Sequence, residues 1–231
     1  MINLGRAVEH PFQDKDWAVK ILIGAAVSLV PILNFALGGY ALAVLRNTAR
    51  GEDLPLPRWD DLGKHFMDGL ILFLVQLIYA IPILVLVGGM LFLGLAFGIT
   101  ADNMARSARN AVGTGFAIIT TGVACLSVIY GLALAFITPA LYIQVARTGQ
   151  IGPAFHLNEI GALIKRNSGD YIVVVVAPLV LGLVIGVGFS IINFIPLVGL
   201  CFSFLMIPVI LLATPYINIV LGHLYGQLIK S

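Results

Sequence analysis

Four histidines and eleven carboxylates are the groups in this 231-residue sequence that could ligate a metal or carry a proton. Their spacing assembles neither chemistry. His10, His65, His156 and His223 are scattered, with no HExxH and no His–Cys grouping that would bring ligands onto one helix face. Asp61 and His65 stand four residues apart and share a helical face, which is half of a metal site; an interfacial polar pair is the simpler reading. Asp60 and Asp61 are neighbours, so a helix would point them to different faces, and acid–base work is not expected of them. His223, near the end of the last apolar run, is the candidate ligand for a bound tetrapyrrole. Cys125 and Cys201 fall in separate apolar runs without CxxC spacing and read as buried, inert thiols. No catalytic residue and no metal site is assigned. No cofactor is expected, although a bound lipid, quinone or pigment would leave no spacing signature.

Passage of a solute through a membrane needs a different set of groups. Ion-coupled transporters keep ionisable residues at membrane depth, where they are costly and persist for a task. Here every Asp and Glu lies in a loop or in the N-terminal stretch, so proton or sodium coupling lacks its usual carriers. The polar residues within the apolar runs are Asn34, Gln76, Gln144, Asn193 and Asn218, with His223. They form either a polar path or hydrogen bonds between packed helices. Gly94 with Gly98, and Gly182 with Gly186, have the small-xxx-small spacing that lets helices approach, and no phosphate-binding loop is present.

The elements that must position these residues are membrane helices. Hydrophobic residues make up 60% of the chain and charged ones 10%, against about 25% charged in an ordinary soluble domain. Uncharged or nearly uncharged runs cover about 18–45, 70–97, 114–145, 171–192 and 197–221. About 20 apolar residues suffice to cross the roughly 30 Å hydrocarbon layer. The expected fold is therefore all-α, a polytopic transmembrane helical bundle forming a single membrane domain over 1–231. A cleavable signal peptide is not expected, because Glu9, Asp14, Lys15 and Asp16 precede the first apolar run.

Run 18–45 would be about 42 Å long as one straight helix, too long without strong tilt. Pro31, Asn34, Gly38 and Gly39 offer a break in its middle, which makes an N-terminal re-entrant hairpin the favoured alternative. Two polar loops carry amphipathic stretches expected to lie in the interface as short helices, at about 59–69 and 155–167. In the first, Trp59, Leu62, Phe66, Met67 and Leu70 recur at helical spacing; in the second, Ile160, Leu163 and Ile164 share a face. The Asn193–Pro196 turn joins the last two runs into a hairpin. The two loops resemble each other weakly, Arg46–Gly51 matching Arg147–Gln150 in placement.

Charge orients the chain. A single crossing by the first run leaves eight Lys and Arg on one side and five on the other, whereas a re-entrant hairpin leaves eleven against two. The cleaner second count, under the positive-inside rule, places the two large loops, their interfacial helices and the C-terminus in the cytoplasm. A net charge of +2 implies no nucleic-acid partner.

Several landmarks carry a family resemblance: Pro11-Phe12 with Asp14, Asp16 and Trp17; Pro31-Ile32-Leu33-Asn34-Phe35; Gly39-Tyr40; and Leu45-Arg46-Asn47. Ala49-Arg50-Gly51-Glu52, Leu56-Pro57-Arg58-Trp59-Asp60-Asp61 and Asp68-Gly69-Leu70 follow, then Ala146-Arg147-Thr148-Gly149, Ala154-Phe155, Glu159-Ile160 and Arg166-Asn167-Ser168-Gly169-Asp170-Tyr171. Together they resemble the prokaryotic membrane-protein family called domain of unknown function 4013. The resemblance covers nearly the whole chain and implies a multi-pass membrane protein of unassigned activity.

Three functions remain in view. The first is a non-enzymatic accessory or scaffold subunit that packs within a larger assembly in the cytoplasmic (inner) membrane, its partners being membrane lipids and other integral membrane proteins. Arg50, Arg58, Lys165 and Arg166 then form the expected docking surface. The second is a channel or transporter for a small or lipophilic solute, the third a membrane enzyme or lipid-handling factor.

Overall fold

A computed structural model describes residues 2–52, 54–100, 103–166 and 168–230, apart from the side chains of 196–201. Asn167 and the Cys201 thiol thus lie outside the described residues. In chain order the helices are α1 (Leu4–Glu9), α2 (Trp17–Ser28), α3 (Phe35–Arg50), α4 (Leu62–Thr100), α5 (Arg106–Thr148), α6 (Leu157–Arg166), α7 (Ser168–Asn193) and α8 (Pro196–Lys230). The fold is all-α, and α4, α5, α7 and α8 are long and apolar enough to cross a membrane.

The first apolar run breaks where its sequence expects. Ser28 Oγ turns back onto Ala25 O at 2.7 Å, residues 29–34 form a turn around Pro31, and α3 begins at Phe35. At 1.5 Å per residue α2 is about 18 Å long and α3 about 24 Å, both short of the roughly 30 Å core. They form the re-entrant hairpin. α8 packs against both helices, while the turn between them stays open, with Leu29, Val30, Pro31, Ile32 and Asn34 exposed.

Glycines set how closely these helices approach. A Cβ on Gly222 of α8 would come within 2.4 Å of Ala41 O, and one on Gly226 within 2.5 Å of Thr48 Cβ. A Cβ on Gly24 of α2 would stand 2.6 Å from Pro215 Cβ. Where α3 meets α4, Gly39 faces the His65 carbonyl and Gly69 the Phe35 carbonyl so closely that neither position has space for a Cβ.

α3 ends on Gly51, whose φ of 81° is left-handed, with Glu52 N returning to Asn47 O at 2.9 Å. α5 ends in the same manner on Gly149, at φ 65°.

Residues 59–69 differ from the expectation of a short separate helix. Trp59–Asp61 is a 3-10 turn and α4 then runs without interruption from Leu62 into the apolar run. Nothing between Leu62 and Leu70 removes a backbone donor, and the acidic Asp68 is neutralised by Arg46, so the helical bonding continues. α6, by contrast, is a helix of its own, with Ile160 buried and Leu157 exposed. α7 and α8 form the expected hairpin, its turn braced by Asn193 Nδ2 donating to Phe189 O at 2.9 Å and Ser203 Oγ donating to Asn193 Oδ1 at 3.2 Å.

Two compact units divide the chain: Met1–Val75 with Thr138–Ser231, and Gln76–Ile137. In the first, Ile21, Tyr40, Val44, Leu56 and Ile219 form a buried cluster with Trp59 and Tyr216 against it. Tyr40 and Trp59 stack with centroids 4.4 Å apart, a contact worth about 1 kcal/mol beyond its area. In the second, Tyr130 OH donates to Tyr79 O at 2.7 Å, and Phe97 stacks on Phe116. Cys125 is exposed rather than buried.

Candidate functional site

The loop-bearing end of the first unit concentrates the ordered polar chemistry. Asp14 follows a 3-10 turn (His10–Gln13) and is 5% exposed. Its carboxylate accepts from Lys20 Nζ at 2.8 Å, Asp16 N at 2.8 Å and Leu56 N at 2.7 Å. Lys20 Nζ also donates to Leu56 O at 2.9 Å, Trp59 Nε1 to Lys20 O at 3.0 Å, and Tyr40 OH to Pro57 O at 2.8 Å. The N-terminal stretch, α2, α3 and the Leu54–Pro57 loop are tied together by this clamp. Burial pushes the Asp14 carboxyl up. The hydrogen bonds from Lys20 and the two backbone amides, with the Lys20 charge, outweigh that and hold it below the ordinary carboxylate value.

Arg46 makes the second tie. Its Nε donates to Ala146 O at 2.7 Å and its Nη1 pairs with Asp68 Oδ2, joining the ends of α3 and α5 to the start of α4. His65 is buried between Tyr40 and Trp59, its Nε2 donating to Arg58 O at 3.0 Å. Asp61 Oδ1 accepts from Lys64 N at 3.1 Å, capping the start of α4.

His223 is 1% exposed and stacks on His10 with ring centroids 4.0 Å apart. Gln227 Nε2 stands 3.2 Å from its Nδ1. Gln227 also binds the N-terminal stretch, and Tyr216 OH donates to Val8 O at 2.9 Å. The N-terminal stretch is therefore latched along α8.

Near the ends of α5 and α8, α6 closes a cavity of about 250 Å3 lined by Gln144, Arg147, Glu159, Ala162, Leu163, Arg166 and Leu228. Glu159 Oε2 accepts from Gln144 Nε2 at 2.9 Å and Oε1 lies 3.2 Å from His156 Nδ1. The hydrogen bonds of His156 and Gln144 hold the Glu159 carboxyl below its usual value.

Among the described residues, no hydrogen bond joins any two of the five residues singled out for a polar path. Gln144 reaches Glu159, Asn218 Nδ2 returns to Thr214 O at 2.9 Å, and Asn193 braces its own turn. Asn34 is exposed at the start of α3, and Gln76 is half-buried. The four docking residues are exposed. Arg50 donates to Asn47 Oδ1 at 2.7 Å and Arg58 pairs with Asp60 at 2.8 Å, while Arg166 makes a long 3.4 Å contact to Ile229 O. Sequence reasoning missed Asp14 with Lys20, the Arg46 tie and the Gly222-x-x-x-Gly226 crossing. The last was visible as small-xxx-small spacing.

The family model described as Protein of unknown function (DUF4013) matches residues 23–194, which runs from within α2 to just past α7. No curated protein and no solved structure matches the chain.

Proposed function

The chain belongs to the family described as Protein of unknown function (DUF4013), and we propose, from the state of its spans, that it is a non-enzymatic accessory or scaffold subunit of a larger membrane assembly. The observation that carries this reading is how little of each span the chain itself covers. In the most apolar stretch of α5 no residue is buried, and in those of α4, α7 and α8 about a tenth are. Exposed Leu and Val alone are compatible with lipid, since lipid tails are equally apolar. On α7, however, a Cβ added at Gly182 or Gly186 would meet nothing within 4 Å. Small residues spaced in this way let a second helix approach closely, and here that approach is open to another protein.

The accessory reading places the protein in the cytoplasmic membrane of a prokaryote. A span that starts at one surface ends at the other, so Arg106 and Arg109 fall on one side and the other eleven cations, with both large loops and both termini, on the cytoplasmic side. Extraction from the native membrane into nanodiscs, native-gel separation and mass spectrometry test the proposal. A stoichiometric integral membrane partner is the expected result, and a chain that migrates alone would overturn it.

A lipophilic-solute path is the second reading, favoured by the re-entrant hairpin, since transporters place sites at broken helices. The space beside this hairpin is filled by Ile21, Tyr40, Val44 and Ile219, which is why the subunit reading is preferred.

A further inference from the structure

We propose that the cavity under α6 is a binding site for the phosphate headgroup of an anionic phospholipid, with Arg147 and Arg166 as its ligands. This goes beyond the subunit reading and needs no protein partner. Both arginines line the same cavity of about 250 Å3. Arg147 makes no hydrogen bond among the described residues, and Arg166 makes only the long contact to Ile229 O. Their donors are thus available for a ligand, and a guanidinium fork matches phosphate oxygens in pairs.

The charge balance selects a monoanion. Glu159 also lines the cavity and stands against any anion, but its two oxygens are engaged by Gln144 and His156. Two guanidinium groups and one carboxylate leave a single net positive charge, which a phosphodiester neutralises.

The remaining lining selects a lipid over a soluble anion. Ala162, Leu163 and Leu228 give the cavity an apolar wall, suited to the glycerol and first acyl carbons below a headgroup. α6 itself has the make-up of an interfacial helix, Ile160 buried on one side, Lys165 and Arg166 at its end, and Leu157 67% exposed where it can enter the acyl boundary. Basic pockets beside membrane helices on the cytoplasmic side are where anionic headgroups collect.

The test is native mass spectrometry of the full chain in detergent, titrated with phosphatidylglycerol or phosphatidylcholine. One phosphatidylglycerol is expected to bind in preference to phosphatidylcholine. The double variant Arg147→Gln/Arg166→Gln should weaken it about thirtyfold, while Lys15→Gln/Lys64→Gln, which removes the same charge at exposed positions elsewhere, should leave it unchanged. Ala162→Trp keeps both cations and fills the space, and should also lose the lipid. The site is overturned if the arginine and lysine pairs weaken binding equally, if neither pair nor Ala162→Trp does, if phosphatidylcholine binds as well, or if millimolar inorganic phosphate displaces the lipid.

Discussion

Asn3 and Gln227, 224 positions apart, face each other across two hydrogen bonds, Asn3 N donating to Gln227 Oε1 at 2.8 Å and Gln227 Nε2 to Asn3 O at 3.3 Å. The two termini therefore share one surface. A first segment that crossed once would put them on opposite sides of the membrane. Single cysteines placed at Ile2 and Lys230, in a chain with Cys125 and Cys201 replaced by Ser, are expected to react with an impermeant maleimide from the same side. Labelling from opposite sides would contradict the re-entrant hairpin.

The Asp14 clamp is expected to show in stability. Asp14→Ala leaves the Lys20 ammonium, itself little exposed, without its carboxylate, and a loss of about 3 kcal/mol is expected for breaking such a pair. The pH dependence has a definite sign. Because the folded carboxyl titrates below its ordinary 3.8, its contribution is complete at neutral pH and falls away as the pH drops through 3.8 and below. Thermal unfolding in detergent between pH 7 and pH 3, as rough limits, should show an acid loss that is shallower in Asp14→Asn.

Glycine substitutions separate packing within the chain from packing with a partner. Gly226→Val pushes atoms into Thr48 and the Leu45 carbonyl, and a loss of about 2 kcal/mol or more is expected from such overpacking. Gly182→Ala and Gly186→Ala meet open space and should leave the unfolding temperature at or slightly above the parent's, since alanine suits a helix interior better by up to about 1 kcal/mol. On the subunit reading a bulkier Gly182→Leu should still reduce the partner recovered with the chain.

Arg46 is expected to resist conservative replacement. One guanidinium serves Ala146 O through Nε and Asp68 through Nη1, and a lysine ammonium lacks that divided geometry. Arg46→Lys should cost about 1 to 2 kcal/mol by thermal unfolding. Retention of parent stability would show that the tie between α3, α4 and α5 contributes little.

Much of this architecture was legible because local chemistry governed it. Pro31 removes a donor in mid-run, and the chain breaks there; the apolar lengths fixed which helices could span; the Asn193–Pro196 turn closed a hairpin. The extent of α4 was harder to read, since amphipathic spacing over 59–69 shows which face is polar and not whether the helix stops. The site was less legible still. Gly182 with Gly186 and Gly222 with Gly226 have the same spacing, yet only the second pair meets a helix of this chain, because what a glycine faces depends on tertiary contacts. The stacking of His10 on His223 and the pairing of Asn3 with Gln227 join opposite ends of the sequence and leave no local trace. The convergence of Arg147 and Arg166 on one cavity likewise appears only once α6 is placed.

The central claim is that the open faces of the spans contact another membrane protein. A photoreactive amino acid at Leu183 or Val184, 66% and 63% exposed on α7, tests it in the native membrane. The account predicts a discrete crosslinked band containing a different integral membrane protein, lost when Gly182→Leu is introduced alongside. Adducts with lipid alone, or with a second copy of this chain alone, would contradict it.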